Sequence, residues 1–202
     1  NSPFECGFYD YCSRNKPKPT YPLDWLPRFS SAKVKDLAAQ GVNDMSGVPD
    51  NLLNDKQQRV KNHTLADTVF FDADGAAADL ASFTLPAYFL DFETIQFAVP
   101  IWKGTRPYQQ ITFQFSLHTL AATGQLTQTG FLDLSGNNPS EPFANALIAA
   151  CGEQGPVYVY NAGFETARIS ELAERYPLLS VPLLAINERV VDLLPIAREH
   201  YY

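Results

Sequence analysis

The chain has 202 residues, of which 46% are hydrophobic and 13% aromatic, and a formal charge of −7. That much apolar material suits one ordinary domain, or one domain with an appendage, and a globally disordered chain is not expected. No apolar run reaches membrane-spanning length, the start at Asn1-Ser2-Pro3 has no signal-peptide pattern, and the acidic balance lacks the basic footprint that tight duplex binding leaves.

Three cysteines without a secretion signal fit a reducing, cytoplasmic setting. The first residue is not methionine and the last two, Tyr201-Tyr202, fall inside an expected helix, so the sequence reads as a fragment of a longer protein.

Residues 1–84 differ in character from the rest. Cys6-Gly7-Phe8-Tyr9-Asp10-Tyr11-Cys12 precedes a basic, proline-spaced stretch over 14–22. Val34, Leu37 and Ala38 stand at helical spacing and predict a helix over 31–40, ended by Gly41. A second helix is expected from about residue 50, with Leu52, Leu53 and Val60 as apolar positions. The small, acidic stretch 72–78 reads as a linker or loop. Arg14, Lys16, Lys18, Arg28, Lys33 and Lys35 concentrate positive charge, read as a solvated linker in preference to a nucleic-acid contact.

From residue 85 the pattern becomes strand-rich and then alternates. Strands are expected at about 87–92, 111–120 and 126–132, a helix at 141–151 and a strand at 157–160. A helix at 164–175, a short strand at 189–191 and a last helix from about 193 complete the reading. Three strands followed by alternating helices and strands predict an α/β fold, a mixed sheet with helices packed on its faces.

The first of these strands ends in Leu90-Asp91-Phe92-Glu93-Thr94. Side chains alternate along a strand, so Asp91 and Glu93 share one side while Leu90 and Phe92 share the other. Paired acids on a core strand repel and resist desolvation, and a bound divalent cation removes both penalties. Hard carboxylate oxygens suit magnesium or manganese. A solvated strand end explains the same pair equally well.

Further along, Val157-Tyr158-Val159-Tyr160 runs into Asn161-Ala162-Gly163-Phe164-Glu165. If the segment after Phe164 is helical, Glu165, Ile169, Leu172 and Tyr176 fall on one face, so an acid sits on the stripe that should meet the sheet. A first-turn acid also gains from the helix dipole, which explains its tolerance but not its face. Asn161 fits a cap or turn residue at least as well as a ligand contact. Asp192 follows a β-branched strand and precedes a helix with Pro195 in its first turn, as a helix N-cap would, or as a further carboxylate at the same sheet edge.

The order Asp-x-Glu at the first strand, Asn-x-x-Phe-acid opening a helix, and Val-Asp-Leu before another helix resembles the DEDD superfamily of 3′–5′ exonucleases, whose fold is ribonuclease H-like. More closely, it resembles an uncharacterised bacterial domain family in that superfamily, often joined to RecB-like nuclease modules. The resemblance covers about 85–202 and rests on Tyr88-Phe-Leu-Asp-Phe-Glu-Thr94, Arg106-Pro-Tyr-Gln-Gln110, Phe113-Gln-Phe-Ser-Leu-His118 and Val159-Tyr-Asn-Ala-Gly-Phe-Glu165.

It implies a truncated ribonuclease H-like exonuclease domain over 85–202, with residues 1–84 as the partly helical tail of a RecB-like module in the same polypeptide. Asp91 and Glu93 would be metal ligands, and Glu165 would stand where the family usually has aspartate. Asp192 would support the site. The final aspartate and its tyrosine or histidine base would lie beyond Tyr202, leaving this stretch one acid short, so activity is expected of the full-length protein. The implied cofactor is a pair of Mg2+ or Mn2+ ions, and the implied partner is DNA or RNA at single-stranded ends, with no membrane.

Thr94, Asn161 and Tyr108 are the candidate substrate contacts. Cys6 and Cys12 resemble the close of an iron–sulfur cysteine group whose other ligands would lie upstream in the full-length protein. Cys151 reads as a core cysteine and His118 as a satisfied structural histidine. The alternatives are a catalytically inactive nucleic-acid-binding or structural module of a larger nuclease, and a metal-free acid-pair glycoside hydrolase, which insensitivity to a chelator would reveal.

Overall fold

A computed structural model describes Gly7, Phe8, Tyr11, Cys12, Arg14 and residues 18–202. The chain divides into two compact units, one formed by residues 1–71 with Tyr202 and the other by residues 72–201.

In the first unit, α1 (Ser31–Ala39) starts at Ser30, whose side chain accepts the Lys33 amide. The second helix, α2 (Asp55–Ala66), opens with a reciprocal capping box between Asn54 and Gln57. It begins later than expected because Asp50–Leu52 forms a separate 3-10 turn. Leu23, Leu26, Leu37, Met45, Val48, Leu53 and Val60 make a small core of their own. Lys61 is buried beside it, with its ammonium donating to the Val48 carbonyl and the Asp50 carboxylate, both at 2.6 Å.

The second unit begins with a helix, α3 (Ala73–Leu80), where the small acidic sequence suggested a linker. Asp72 caps it by accepting the Gly75 amide at 3.0 Å. Then come β1 (Ala87–Ile95), β2 (Ile111–Leu120), β3 (Leu126–Leu132), α4 (Ser140–Ala150), β4 (Val157–Val159) and α5 (Gly163–Arg175). After these follow α6 (Ser180–Asn187), absent from the sequence reading, β5 (Val190–Asp192) and α7 (Leu193–His200).

The five strands lie in the order β3-β2-β1-β4-β5. The first three form an antiparallel meander, and β4 and β5 run parallel to β1. This is the expected mixed sheet flanked by helices, a ribonuclease H-like α/β fold with β1 at its centre.

Alternation along β1 sets the two faces. Leu90 and Phe92 enter the main core with Phe115, Leu117, Phe143 and Leu147, closed by Ile169, Leu172, Leu183 and Ile186 from α5 and α6. Phe143 of α4 sits edge-on to Phe92, Phe115 and Phe131 at once. On the opposite face Phe89 stacks on Tyr158, and Asp91 and Glu93 are exposed. The approach to β4 is tight: Gly155 has φ +87°, and a Cβ there would strike the Pro86 carbonyl.

One ring joins α3 to α7. His200 is buried, with Nδ1 3.0 Å from Asp72 Oδ2 and Nε2 2.9 Å from Asp79 Oδ2. Hydrogen bonds to Asp79 and Asp72 outweigh burial and raise its pKa above 6.5. A raised folded-state value means stabilisation that is complete below 6.5 and lost as pH climbs through the higher value. Amide-exchange protection of residues 73–80 is therefore expected to fall between pH 6 and pH 9, and His200→Gln to remove that dependence. Equal protection at both pH values, after correction for intrinsic exchange, would count against this clamp.

Candidate functional site

Because β1, β4 and β5 are parallel, their carboxyl ends share one edge of the sheet, where open α/β folds place ligands. Acids from three distant parts of the sequence lie toward this edge, and Asp91 and Asp192 act on the charge of Glu165. Asp91 projects from β1 opposite Ser116, and Glu93 projects from the same face opposite Gln114. The ladder is irregular just past Glu93: Phe113 is the extra residue on β2 between the partners of Glu93 and Thr94. Bulges of this kind re-aim side chains beside active sites.

Glu165 lies in the first turn of α5 and is only 4% exposed. It shares the buried stripe with Ile169 and Leu172, as the spacing predicted. Its Oε2 atom is buried without a hydrogen-bond partner. Desolvation is the main cause that raises its pKa. A bond from its own amide opposes the shift, and the charges of Asp91 and Asp192 add to it. Asp91, Glu165 and Asp192 thus share one electrostatic neighbourhood, with an unsatisfied carboxylate oxygen inside it.

Asp192 does ordinary structural work as well. Its Oδ1 accepts the Leu194 amide, capping α7, and the Asn161 amide, each at 2.9 Å. Burial disfavours its charge, but amide hydrogen bonds from Leu194, Asn161 and Ala162 and the charge of Arg198 outweigh burial and lower its pKa. Asn161 is an exposed turn residue with φ +73°, so its amide ties the end of β4 to the end of β5.

Other candidates fall elsewhere. Alternation puts Thr94 on the face of Phe92, half-buried opposite Thr112 and turned from the acids' face. Tyr108 is 68% exposed in the loop before β2. His118 is exposed in mid-strand opposite Phe89, not satisfied within a core, because its position in the alternation gives it the open face. Cys151 is fully buried, and desolvation pushes its thiol up to about 12, which fits a core residue. Cys12 is free and exposed, while Cys6 lies outside the described residues.

The donor set of Asp91, Glu93 and Glu165 has the chemistry a hard divalent cation takes, and one Glu165 oxygen is buried without a hydrogen-bond partner. Among the described residues, however, no three His, Cys, Asp or Glu side chains stand close enough to hold a metal ion as they are.

Residues 88–202 match a family described as a domain of unknown function, DUF2779. The chain belongs to this family. The DUF2779 stretch takes in Asp91, Glu93, Tyr108, Glu165 and Asp192, and leaves Cys6 and Cys12 outside. No curated protein and no solved structure matches the chain. Among the described residues no helix is long and apolar enough to cross a membrane.

The DUF2779 stretch also contains a polar network that sequence reading missed. Arg168 of α5 donates through Nη1 to Gln110 Oε1 and through Nη2 to Glu171 at 2.8 Å. Arg106 lies 3.7 Å from the same Glu171 oxygen. The Arg106-Pro-Tyr-Gln-Gln110 motif was a signal for it, but nothing local to that motif reveals its partners on α5.

Proposed function

We propose that the DUF2779 domain is a divalent-metal-dependent 3′–5′ exonuclease that hydrolyses phosphodiester bonds at DNA or RNA ends, a member of the DEDD superfamily. The observation that supports it is the buried carboxylate of Glu165, one of whose oxygens has no hydrogen-bond partner, in the field of Asp91 and Asp192. A buried acid beside two others is unfavourable unless a cation or a proton satisfies it.

In this reading Asp91, Glu93 and Glu165 hold the ions, while Asp192 sets the position of the Asn161 turn and the start of α7. A bound Mg2+ or Mn2+ pair supplies an activated water and charge stabilisation at the leaving 3′ oxygen. The resemblance noted above extends the acid set beyond Tyr202, so the test belongs to the full-length parent. With a 5′-labelled single strand, Mg2+ or Mn2+ should produce stepwise shortening from the 3′ end, and EDTA should abolish it. Shortening that persists in EDTA, or arises only from internal cuts, would contradict the proposal.

A second reading has its own support. Asp192 Oδ1 is committed to two amides, as expected of a module that retains the fold to bind nucleic acid or to serve a neighbouring RecB-like nuclease. Manganese titration separates the two. Metal that binds the native state raises the unfolding temperature in proportion to RT ln(1 + [Mn2+]/Kd), and the inactive module should show no such rise.

A further inference from the structure

Away from the acids, the loop before β2 and the later turns of α5 enclose an open cleft of about 350 Å3, lined by residues including Gly104, Arg106, Gln109, Glu171 and Arg175. Residues 72–201 contain six Lys and Arg against fourteen Asp and Glu. Three of those six stand at this cleft: Arg106 and Arg175 line it, and Arg168 bonds to its Glu171. Three arginines against Glu171 and Glu174 leave the cleft weakly positive on an acidic domain, a local charge that favours anions.

Its guanidiniums retain donors. Glu171 is the carboxylate shared by Arg168 and Arg106, with Glu174 the other acid on the lining. Arg168 Nε is buried without a hydrogen-bond partner. Arg175 reaches the carbonyls of Lys103 and Gly104 only at 3.3 Å, and the Arg106 side chain is 73% exposed. Beside them stands Tyr108, with φ +56° and its ring in solvent. Bulky residues seldom adopt that backbone conformation. It is held by the Tyr108 amide donating to the Phe97 carbonyl at 2.8 Å and the Arg106 amide donating to Gln109 Oε1 at 3.1 Å.

We infer that this cleft and Tyr108 form a subsite for single-stranded nucleic acid: Arg106 and Arg175 take a backbone phosphate, and the Tyr108 ring stacks an unpaired base. The inference rests on the nuclease reading for the direction of the strand, since α5 carries Glu165 at its start and the arginines beyond it. At 1.5 Å per residue, Arg168 and Arg175 lie about 4.5 and 15 Å along the helix from Glu165, within reach of one short strand. Single strands are specified because a paired, stacked base offers no free face to the tyrosine.

Fluorescence anisotropy with short labelled DNA and RNA oligonucleotides, in EDTA, tests this on the 202-residue chain. Arg106→Ala, at an exposed position, should weaken single-strand binding on the order of tenfold and lower the slope of log K against log salt by about 1. Adding Arg175→Ala should lower the slope further, and Arg106→Lys should restore it. Tyr108→Ala should weaken binding at least about fivefold with the slope unchanged. Thermal unfolding of each variant confirms that the fold is retained.

Wild-type affinity and slope in both Arg106→Ala and Tyr108→Ala would overturn the subsite, as would duplex binding as tight as single-strand binding, or no binding at low salt. Metal-dependent hydrolysis by the parent is measured separately. Binding that follows Arg106 and Tyr108 in a parent without hydrolysis keeps the subsite and removes the exonuclease.

Discussion

Asp91→Asn in the full-length parent should reduce metal-dependent release of 3′-terminal nucleotides on the order of a thousandfold while leaving the fold in place. Asparagine keeps the volume of aspartate and loses the charge that a cation needs. The side chain is exposed on the central strand, so no core packing is disturbed. Loss of the charge also relieves Glu165 of one of its two repelling neighbours, so folding should not suffer. Glu93→Gln should lower activity in the same direction, because Glu93 shares the face of Asp91. Asp192→Asn should act differently. Its Oδ1 can still accept both amides that Asp192 Oδ1 now holds, so a milder loss with α7 kept in place is expected. Full activity in Asp91→Asn would exclude the metal site proposed here. Unchanged activity across all three variants would point instead to the non-catalytic module.

The sheet was legible because each strand announces itself locally. Alternating or β-branched runs bounded by turn residues placed all five strands to within a few residues, and three strands followed by alternation gave a mixed sheet, though not the order of its strands. Glu165 was legible for the same reason, since the four-three-four spacing alone put it among Ile169, Leu172 and Tyr176. What escaped the sequence depends on distant partners. The segment that became α3 holds a glycine, four alanines and two acids, a linker by composition; its helix is fixed by the Asp72 cap and by His200, more than a hundred positions away. For α6 the obstacle was an unclear stripe, because Leu183 and Ile186 are buried while Val181 and Leu184 are exposed, and Pro182 interrupts the first turn. The arginine network spans 58 positions between Gln110 and Arg168, and no local pattern carries a contact of that range. Thr94 was a different kind of miss. The alternation that paired Asp91 with Glu93 already turned it to the opposite face.

Glu165→Gln should abolish activity and yet make the metal-free domain more stable at neutral pH. The folded state raises the Glu165 pKa above its ordinary 4.5, through burial first and through Asp91 and Asp192 in addition. Between 4.5 and the raised value, the native state holds a proton that the unfolded chain has already released. Stability therefore falls as pH rises through this window and stays lower above it. Glutamine fills the same space without a charge, and its oxygen can still accept the residue's own amide. Relief of a buried, unsatisfied polar group is worth about 1–3 kcal/mol, or roughly 2–4 °C in unfolding temperature for each kcal/mol in a chain of this size. The gain should be present at pH 7 and absent near pH 4, where wild-type Glu165 is protonated. Added Mn2+ should then narrow or reverse the difference, because only the carboxylate gains from the cation. If Glu165→Gln instead proves less stable than wild type at pH 7 in EDTA, the carboxylate already has a favourable partner, and the reason to place a cation beside it is gone.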